Sequence, residues 1–311
     1  MTVLNSLFPV FVIIALGASL RRWRFFSDEI LSGLNRLTYW VGLPCLLFNK
    51  IAAAQHTGQN AANLFLVMFL SMLGGIVAAY VVARLLQLPA TSTGTFVQSS
   101  FRGNLAFIGL PVIIYSAMAQ NAPGLADHET LAVLVLAPMA ITYNAFSVLV
   151  LVLGRKKIDG ESLKTIALQL LSNPLLIAST LGFVLSIANT PLPVWLARTT
   201  AAVGQTSLPL ALIGIGGSLV SVQIRGSLLA ASSAALLKVG VTPVIGYLLA
   251  TALGLSPAES KITLIYLSCP TAAASFILVD QLGGDKHLAA SAIVISTILA
   301  VISLGFAVSL T

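Results

Sequence analysis

The stretch Phe101–Tyr115 reads FRGNLAFIGLPVIIY, an apolar segment that contains Asn104, Gly109 and Pro111 at short intervals. Because proline has no N–H and its ring clashes with the carbonyl one turn back, a helix that runs through Pro111 must bend or open. In lipid, the freed carbonyls are tolerated only where protein or water covers them. The stretch therefore predicts a membrane helix interrupted in front of a cavity, with Asn104 two turns before the break. The other interpretation is a simple proline kink.

The composition around this stretch is that of an integral membrane protein. Of the 311 residues, 58% are hydrophobic and 8% are charged, and the mean hydropathy is +1.00, whereas a soluble domain carries about 25% charged residues. The net charge is +7, but the basic residues lie in short loops between apolar runs, where they orient a protein in the bilayer. No basic patch interleaved with aromatic residues is left to bind nucleic acid.

Ten apolar runs are long enough to cross about 30 Å of hydrocarbon. Because ten is an even number, both termini are expected on the same side of the membrane. The runs lie at roughly 4–20, 29–51, 63–85, 92–118, 130–153, 164–188, 196–220, 227–253, 258–282 and 287–310.

The basic residues predict which side this is. With the N-terminus outside, ten of them fall in inner loops and three in outer loops, and loops rich in Lys and Arg stay in the cytoplasm. The first run lacks a basic n-region, so it is a transmembrane helix rather than a signal peptide. We expect a multi-pass protein of the plasma (inner) membrane with both termini extracytoplasmic. The inner residues are Arg21, Arg22, Arg24, Arg84, Arg155, Lys156, Lys157, Lys164, Arg225 and Lys286, and the outer ones are Lys50, Arg198 and Lys261.

The two halves of the chain resemble each other. PVFVIIALG at Pro9–Gly17 recurs as PLLIASTLG at Pro174–Gly182, and Pro44 is echoed by Pro209, both at an offset of 165 residues. Because each half has five crossings, the second copy enters the membrane upside down, which predicts an inverted repeat. The predicted organisation is a first repeat at 1–153, a cytoplasmic linker at 154–163 and a second repeat at 164–311.

The same offset predicts a second broken helix. Asn104 corresponds to Cys269, where the ninth run reads SCPTAAASF, with Pro270 followed by small residues from Thr271 to Ser275. Small side chains let another backbone approach closely, as the crossing of two interrupted helices requires, although ordinary helix packing uses them as well. Carriers of this design bind their substrate near the midplane, where the broken helices of the two copies meet.

Three charged residues within the predicted spans are candidates for chemistry. Lys238 lies near mid-depth, where a charge costs about 2.5–3.5 kcal/mol. One interpretation is a counter-charge, either for an anionic substrate or for a carboxylate that titrates. The other is one half of a structural ion pair. Arg102 either clamps a carboxylate with two hydrogen bonds or reaches water at the inner interface. Asp280 is either the carboxylate for proton coupling or an interfacial residue before a turn.

Signatures of enzymes do not occur in the sequence. There is no HExxH, CxxC, GxSxG or Walker motif, and His56, His128 and His287 lie in or next to predicted loops rather than in a cluster. Cys45 and Cys269 both lie inside apolar runs, which does not favour a disulfide or a thiolate metal site. We therefore expect neither an enzyme nor a metal centre nor a bound cofactor.

Four motifs resemble a known family. NLAFIGLP, which contains Asn104, Gly109 and Pro111 in the pattern N-x4-G-x-P, resembles the fourth helix of the auxin efflux carrier family, which includes plant PIN-type exporters and bacterial permeases. Further matches extend the resemblance over nearly the whole chain. LPCLLFNKI at 43–51, NPLLIASTLGFVLS at 173–186 and SLPLALIGIGGSL at 207–219 are similar to the second, sixth and seventh helices of bacterial members.

The resemblance implies an all-α integral membrane fold of ten transmembrane helices, in two inverted five-helix repeats, with broken helices four and nine crossing beside the substrate. The plant pattern has a second proline about where Ser275 lies here, so the ninth helix departs from it. Bacterial relatives are similar to permeases for malate, malonate and other small carboxylates. The substrate-binding candidates are Arg102, Asn104, Gly109, Pro111, Lys238, Thr271 and Ser275, with Pro111 and Pro270 as helix breaks and Asp280 as the coupling candidate.

The expected function is secondary active transport of a small organic anion by alternating access, with the crossing bundle moving against helices one, two, six and seven. Coupling to a proton, to sodium or to the membrane potential is open. Alternatives are an auxin-like aromatic carboxylate exporter, a sodium-coupled organic anion symporter, a channel and a non-transporting receptor. The expected partners are the lipid bilayer and, as in the plant relatives, a second copy of the chain.

Overall fold

The computed structural model describes residues 2–53, 58–119, 125–154, 172–221 and 226–310. Within these ranges the chain is helical, and the extended pairing among them is a single antiparallel bridge between Gly103 and Thr271. The predicted linker at 154–163, apart from its first residue, and the start of the sixth apolar run lie outside the described residues.

The helices follow the predicted apolar runs closely where both are described. In the first half they are α1 (Thr2–Arg22), α2 (Asp28–Leu37), α3 (Leu43–Ala52), α4 (Gly58–Leu85), α5 (Ala90–Phe101), α6 (Leu110–Ala119) and α7 (Leu125–Leu153). In the second half they are α8 (Pro174–Ile187), α9 (Val194–Ser221), α10 (Leu228–Leu236), α11 (Thr242–Ala252), α12 (Pro257–Ser268), α13 (Ala274–Gln281) and α14 (Lys286–Ser309).

Five helical stretches of the described residues are long and apolar enough to cross a membrane. Their length and composition agree with a bilayer about 30 Å thick. The described residues thus form an all-helical structure with the apolar helices of a membrane protein. The stretches are Ala61–Leu85, His128–Leu153, Val194–Val220, Leu228–Ala252 and Lys286–Ser309, and Leu105–Ala119 and Pro174–Ile187 are shorter apolar helices.

Short π-helical segments precede three prolines. Thr38–Gly42, Leu105–Gly109 and Leu237–Val241 each end two residues before a proline, which is Pro44, Pro111 or Pro243. The wider turn relieves the clash between the proline ring and the carbonyl four residues back. In this way the helix continues through the proline instead of ending there.

The chain forms two compact units, and each draws on both halves of the sequence. The first unit consists of Met1–Ala62, Ala106–Pro138 and Leu171–Ser221. Within it, α1 and α9 touch backbone to backbone: a Cβ on Gly17 would lie 2.2 Å from the carbonyl oxygen of Ile213. Only glycine permits so close an approach.

The second unit consists of Asn63–Leu105, Met139–Leu170 and Val222–Thr311. A cluster of buried apolar side chains from α7, α13 and α14 forms part of its core. The helix starts are capped: Ser256 and Glu259 form a capping box at α12, and Asp285 accepts a hydrogen bond from the N–H of Leu288 at α14. The cluster consists of Val148, Leu151, Val152, Leu278, Val279 and Ala289.

The two units do not follow the predicted spans at every point. Helices one, two, six and seven of the prediction fall in the first unit, together with the second part of the fourth and the first part of the fifth. Of these two, the fourth helix was predicted to belong to the crossing bundle. The boundaries between the units, at residues 105–106 and 138–139, therefore lie inside two predicted spans, 92–118 and 130–153.

Candidate functional site

Two breaks in the helices lie in the second unit, and they leave three and five residues outside a helix. In the first break, Arg102–Asn104, the chain turns extended at Arg102, with φ −76° and ψ 97°. In the second break, Cys269–Ala273, Cys269 is extended with φ −61° and ψ 144°. Pro270 accounts for the second break, because the residue before a proline is pushed out of the helical region.

The position of the first break differs from the prediction. Asn104 lies inside the break, not two turns before it, and Pro111 is the second residue of α6. The helix was expected to open one turn before Pro111, near Phe107 and Ile108. The π-helical turn Leu105–Gly109 accommodates the proline instead, so the helix is not interrupted there. The prediction of an interrupted fourth helix was correct, but the break lies at Arg102–Asn104.

The two breaks pair with each other, and we call this pairing the crossing. The N–H of Asn104 donates to the carbonyl of Pro270 at 2.8 Å, and the N–H of Ala272 donates to the carbonyl of Arg102 at 2.9 Å. These bonds form the antiparallel bridge between Gly103 and Thr271. The pairing satisfies backbone groups that would be costly to leave unpaired in an apolar interior.

Each break frees the carbonyl four residues before its bridge residue. At the first break this is the carbonyl of Ser99, which accepts a hydrogen bond from the hydroxyl of Thr271 at 2.7 Å. At the second break it is the carbonyl of Leu267, which accepts from Nζ of Lys238 at 2.5 Å. The N–H of Thr271, which would have served Leu267 in a continuous helix, donates to Oγ of Ser296 at 3.0 Å.

Lys238 lies in the π-helical turn Leu237–Val241 and is fully buried, with 0% of its surface exposed. None of the ion pairs formed by the described residues includes it. The structural ion pair that was considered for Lys238 is therefore not seen among the described residues. The ammonium instead contacts the broken end of α12.

Arg102 is also buried, with 7% of its surface exposed, and Nη2 donates to Oδ1 of Asn144 at 2.5 Å. The preceding residue, Phe101, packs against Tyr143, with ring centroids 6.0 Å apart. Because the guanidinium is enclosed by protein, the structure does not favour the interpretation in which Arg102 reaches water at the inner interface. The role of Asn144 was missed in the sequence, because a polar residue in a span gives no local sign of its partner.

Several polar atoms beside the crossing are buried and have no hydrogen-bond partner among the described residues. They are Oε1 of Gln98, Oγ of Ser99 and Oγ of Ser275. The amide nitrogen of Gln98 donates to the carbonyl of Ser275 at 3.4 Å, which links α5 to α13. Unpartnered buried groups are rare in proteins, so these oxygens are available to a polar ligand or water.

The remaining candidates lie elsewhere. Gly109 is the last residue of a π-helical turn and Pro111 lies in α6; both belong to the first unit, and their role in binding stays a prediction. Asp280 has 51% of its side chain exposed and forms an ion pair with Lys286. This agrees with an interfacial residue, and proton coupling through Asp280 stays a prediction.

Comparisons with known proteins identify the family. A family model described as "Membrane transport protein" matches residues 2–158 and 158–308. An uncharacterized transporter of Methanothermobacter thermautotrophicus is 25% identical over 307 residues, which cover 96% of this chain and 95% of that protein. The resemblance to the auxin efflux carrier family is thereby confirmed. The chain belongs to the membrane transport protein family that contains the auxin efflux carriers.

Proposed function

We propose that the protein is a secondary carrier of a small organic anion, a mono- or dicarboxylate such as malate or malonate, that works by alternating access. One observation carries this proposal: Arg102 and Lys238 bring two buried positive charges to the crossing of two interrupted helices. Buried charges in membrane proteins line substrate pathways far more often than they face lipid. An anion at the crossing would be attracted chiefly by Arg102, whose guanidinium donates to the neutral amide oxygen of Asn144, whereas the charge of Lys238 faces the carbonyl of Leu267.

The acidic residues support the same conclusion. The acids of the second unit whose side chains are described are Glu259, Asp280 and Asp285, and each is engaged at a helix end. Glu259 accepts from the N–H of Ser256, Asp280 pairs with Lys286, and Asp285 caps α14. The positive charges of the crossing are thus not neutralised by these carboxylates.

Asn104 and the unpartnered oxygens supply groups that complement a carboxylate or hydroxyl on the substrate. Asn104 is buried, and the free hydroxyls of Ser99 and Ser275 can donate as well as accept. A guanidinium such as that of Arg102 can bind a carboxylate with two parallel hydrogen bonds. A hydroxylated dicarboxylate would use both kinds of group.

The helix bounds support the ten-span inverted repeat. The helix α12 begins and ends 167 residues after α5, and α11 likewise ends 167 residues after α4. Both α5 and α12 contain 12 residues and both end at a break. We therefore propose two inverted five-helix repeats in the plasma (inner) membrane, with both termini extracytoplasmic and, by analogy with the plant carriers, a homodimer.

Uptake into liposomes tests the proposed function. The purified protein would be assayed with labelled malate, malonate, succinate, lactate, pyruvate, citrate and indole acetate under imposed proton, sodium and potential gradients. We expect saturable uptake of at least one carboxylate, and a half-saturation constant raised about tenfold or more in Arg102→Ala, because a charged hydrogen bond contributes about 1.5–3 kcal/mol. The matched control is Arg84→Ala, an exposed arginine of the same unit, which should behave as the wild type.

Four results would count against the proposal. Absence of transport of every carboxylate under every gradient would exclude an organic anion carrier of this kind. Flux that does not saturate would indicate a channel. Preference for indole acetate would favour the aromatic exporter, and a strict need for sodium would favour the symporter.

A further inference from the structure

The broken end of α12 has a carbonyl whose helical donor is missing. In a continuous helix, Leu267 would accept from the N–H of Thr271, but that N–H donates to Ser296. The ammonium of Lys238 takes its place at 2.5 Å. The neighbouring carbonyls of α12 have local partners, since Ile265 accepts from the thiol of Cys269 and Tyr266 from its N–H.

The same place is electrostatically negative. The C-terminal end of a helix carries about half a negative charge, and two 12-residue helices end at the crossing, α5 at Phe101 and α12 at Ser268. Gly103, which follows α5, lies against the lysine: a Cβ there would be 3.2 Å from Cε and 3.4 Å from Nζ of Lys238. The ammonium therefore lies close to both broken ends.

In many carriers a cation is bound where transmembrane helices are broken. Where transmembrane helices are broken, unwound carbonyls and the C-terminal ends of half-helices bind the coupling cation, commonly sodium. At the first break of this protein the freed carbonyl of Ser99 is served by the neutral hydroxyl of Thr271. At the second break the donor is a full positive charge that is covalently part of the chain.

We propose that the ammonium of Lys238 occupies a site for a monovalent metal cation, as a tethered cation held at the carbonyl of Leu267 and beside Gly103. The protein then needs neither sodium nor potassium for the integrity of the crossing or for coupling. Removal of the ammonium uncovers a site for sodium or potassium. This inference goes beyond the proposed function, because it says that neither sodium nor potassium is the coupling ion. It does not depend on which substrate is transported.

The π-helical turn of Lys238 supports a fixed position for the ammonium. Pro243 cannot donate to the carbonyl of Val239, and that carbonyl accepts a hydrogen bond from the hydroxyl of Ser303 on α14 instead. The N–H of Thr242 donates to the carbonyl of Leu237, which closes the wide turn. The lysine thus projects from a turn that is itself held by hydrogen bonds, and only a change of side chain is needed to vacate the site.

The test is the thermal stability of the full-length protein in detergent, in chloride salts of sodium, potassium and choline at one ionic strength. The wild type should melt at the same temperature in all three. Lys238→Met, which keeps most of the side-chain volume but not the charge, should melt lower in choline. It should recover in sodium or potassium by about 2–4 °C in a saturable manner, because a ligand that binds only the folded state stabilises it. Arg84→Met, which removes an exposed charge of the same unit, should show no response.

Two further measurements keep the inference testable if Lys238→Met does not fold. Lys238→Arg retains a cation and should respond to no salt, and uptake by the wild type should be unchanged when choline replaces sodium. A sodium-specific stabilisation of the wild type, a sodium requirement for its uptake, or a Lys238→Met protein that ignores both metal ions would each overturn the tethered cation. Because melting needs no transported substrate, a failure here is distinct from a failure of carboxylate transport.

Discussion

Arg102 and Asn144 show how one hydrogen bond can set the charge of a buried site. The guanidinium is anchored through Nη2 to a neutral amide oxygen 42 residues along the chain. A neutral partner orients the side chain without cancelling its charge, whereas a carboxylate in the same place would do both. The amide is therefore suited to a site that must attract an anion.

Asn144→Asp tests this distinction. The new carboxylate keeps the shape of the side chain and pairs with Arg102, so we expect the melting temperature to be kept or raised. The same pairing cancels the positive charge, and the half-saturation constant for the transported carboxylate should rise about tenfold or more. Asn63→Asp, at an exposed position of α4, is the control. Unchanged transport in Asn144→Asp would show that the charge of Arg102 does not serve the substrate.

Gly103 is a residue whose missing side chain matters. Its Cβ would lie 3.2–3.4 Å from Lys238 and 3.3 Å from Leu105, and the ammonium of Lys238 cannot move away without losing Leu267. We expect Gly103→Ala to lower the free energy of unfolding by about 1–3 kcal/mol, the usual cost of overpacking.

The control for Gly103→Ala is Gly33→Ala. Gly33 lies in the helix α2 with nothing near its Cβ position, so alanine should stabilise the protein by about 0.5–1 kcal/mol through helix propensity. Denaturation of both variants in the same detergent gives the comparison. Equal stabilisation of both proteins would mean that the crossing is less tightly packed than the structure indicates.

At the scale of the elements, helix α12 ends where Pro270 makes a continuous helix unfavourable. The proline removes one donor and pushes Cys269 into an extended conformation, which frees the backbone for the bridge with Gly103. The helix and the break are thus two results of the same local sequence. The bridge with Gly103 forms from the extended residues that follow the end of α12.

Pro270→Ala should let α12 extend. The N–H of Thr271 would return to the carbonyl of Leu267 and displace Lys238, so we expect uptake to fall more than tenfold while the protein still inserts into the membrane. Pro257→Ala in the same helix is the matched control, because a proline in the first helical turn removes no hydrogen bond and its loss should change little. Uptake and melting temperature would be measured for both. Normal uptake by Pro270→Ala would show that the break is not required for transport.

At the scale of the whole molecule, the apolar runs determine how many times the chain crosses the bilayer. Five helical stretches of the described residues are long enough to cross alone, and several of the other predicted crossings consist of two pieces joined at a break or a π-helical turn. A break divides the predicted crossings at 92–118 and 258–282, so neither of them forms one uninterrupted helix long enough to cross alone. The proposed ten crossings therefore need a test of sidedness.

Accessible cysteines can provide this test. In a background in which Cys45 and Cys269 are replaced by alanine, Thr311→Cys should react with an impermeant maleimide from outside intact cells. Gly160→Cys, in the predicted cytoplasmic linker, should react only after the membrane is permeabilised. Labelling of both positions from the same side would exclude an odd number of crossings between them and with it the inverted repeat.

Much of this architecture followed from the sequence alone, and the reasons are local. Apolar runs of sufficient length have to become helices in lipid, because no other element satisfies its own backbone there. The break after Ser268 was predictable because Pro270 acts on its immediate neighbours. The polar and small residues around Asn104 and Thr271 marked the right stretches for the crossing.

Only the tertiary structure decided where the first break lies and what the buried charges touch. The extended conformation of Arg102–Asn104 depends on partners at Pro270 and Ala272, which lie in another part of the chain. Lys238 contacts a backbone carbonyl that is freed only because a distant helix ends there. A sequence pattern reports what a residue can donate or accept, whereas the choice among partners is made by packing, which brings remote segments within hydrogen-bond distance.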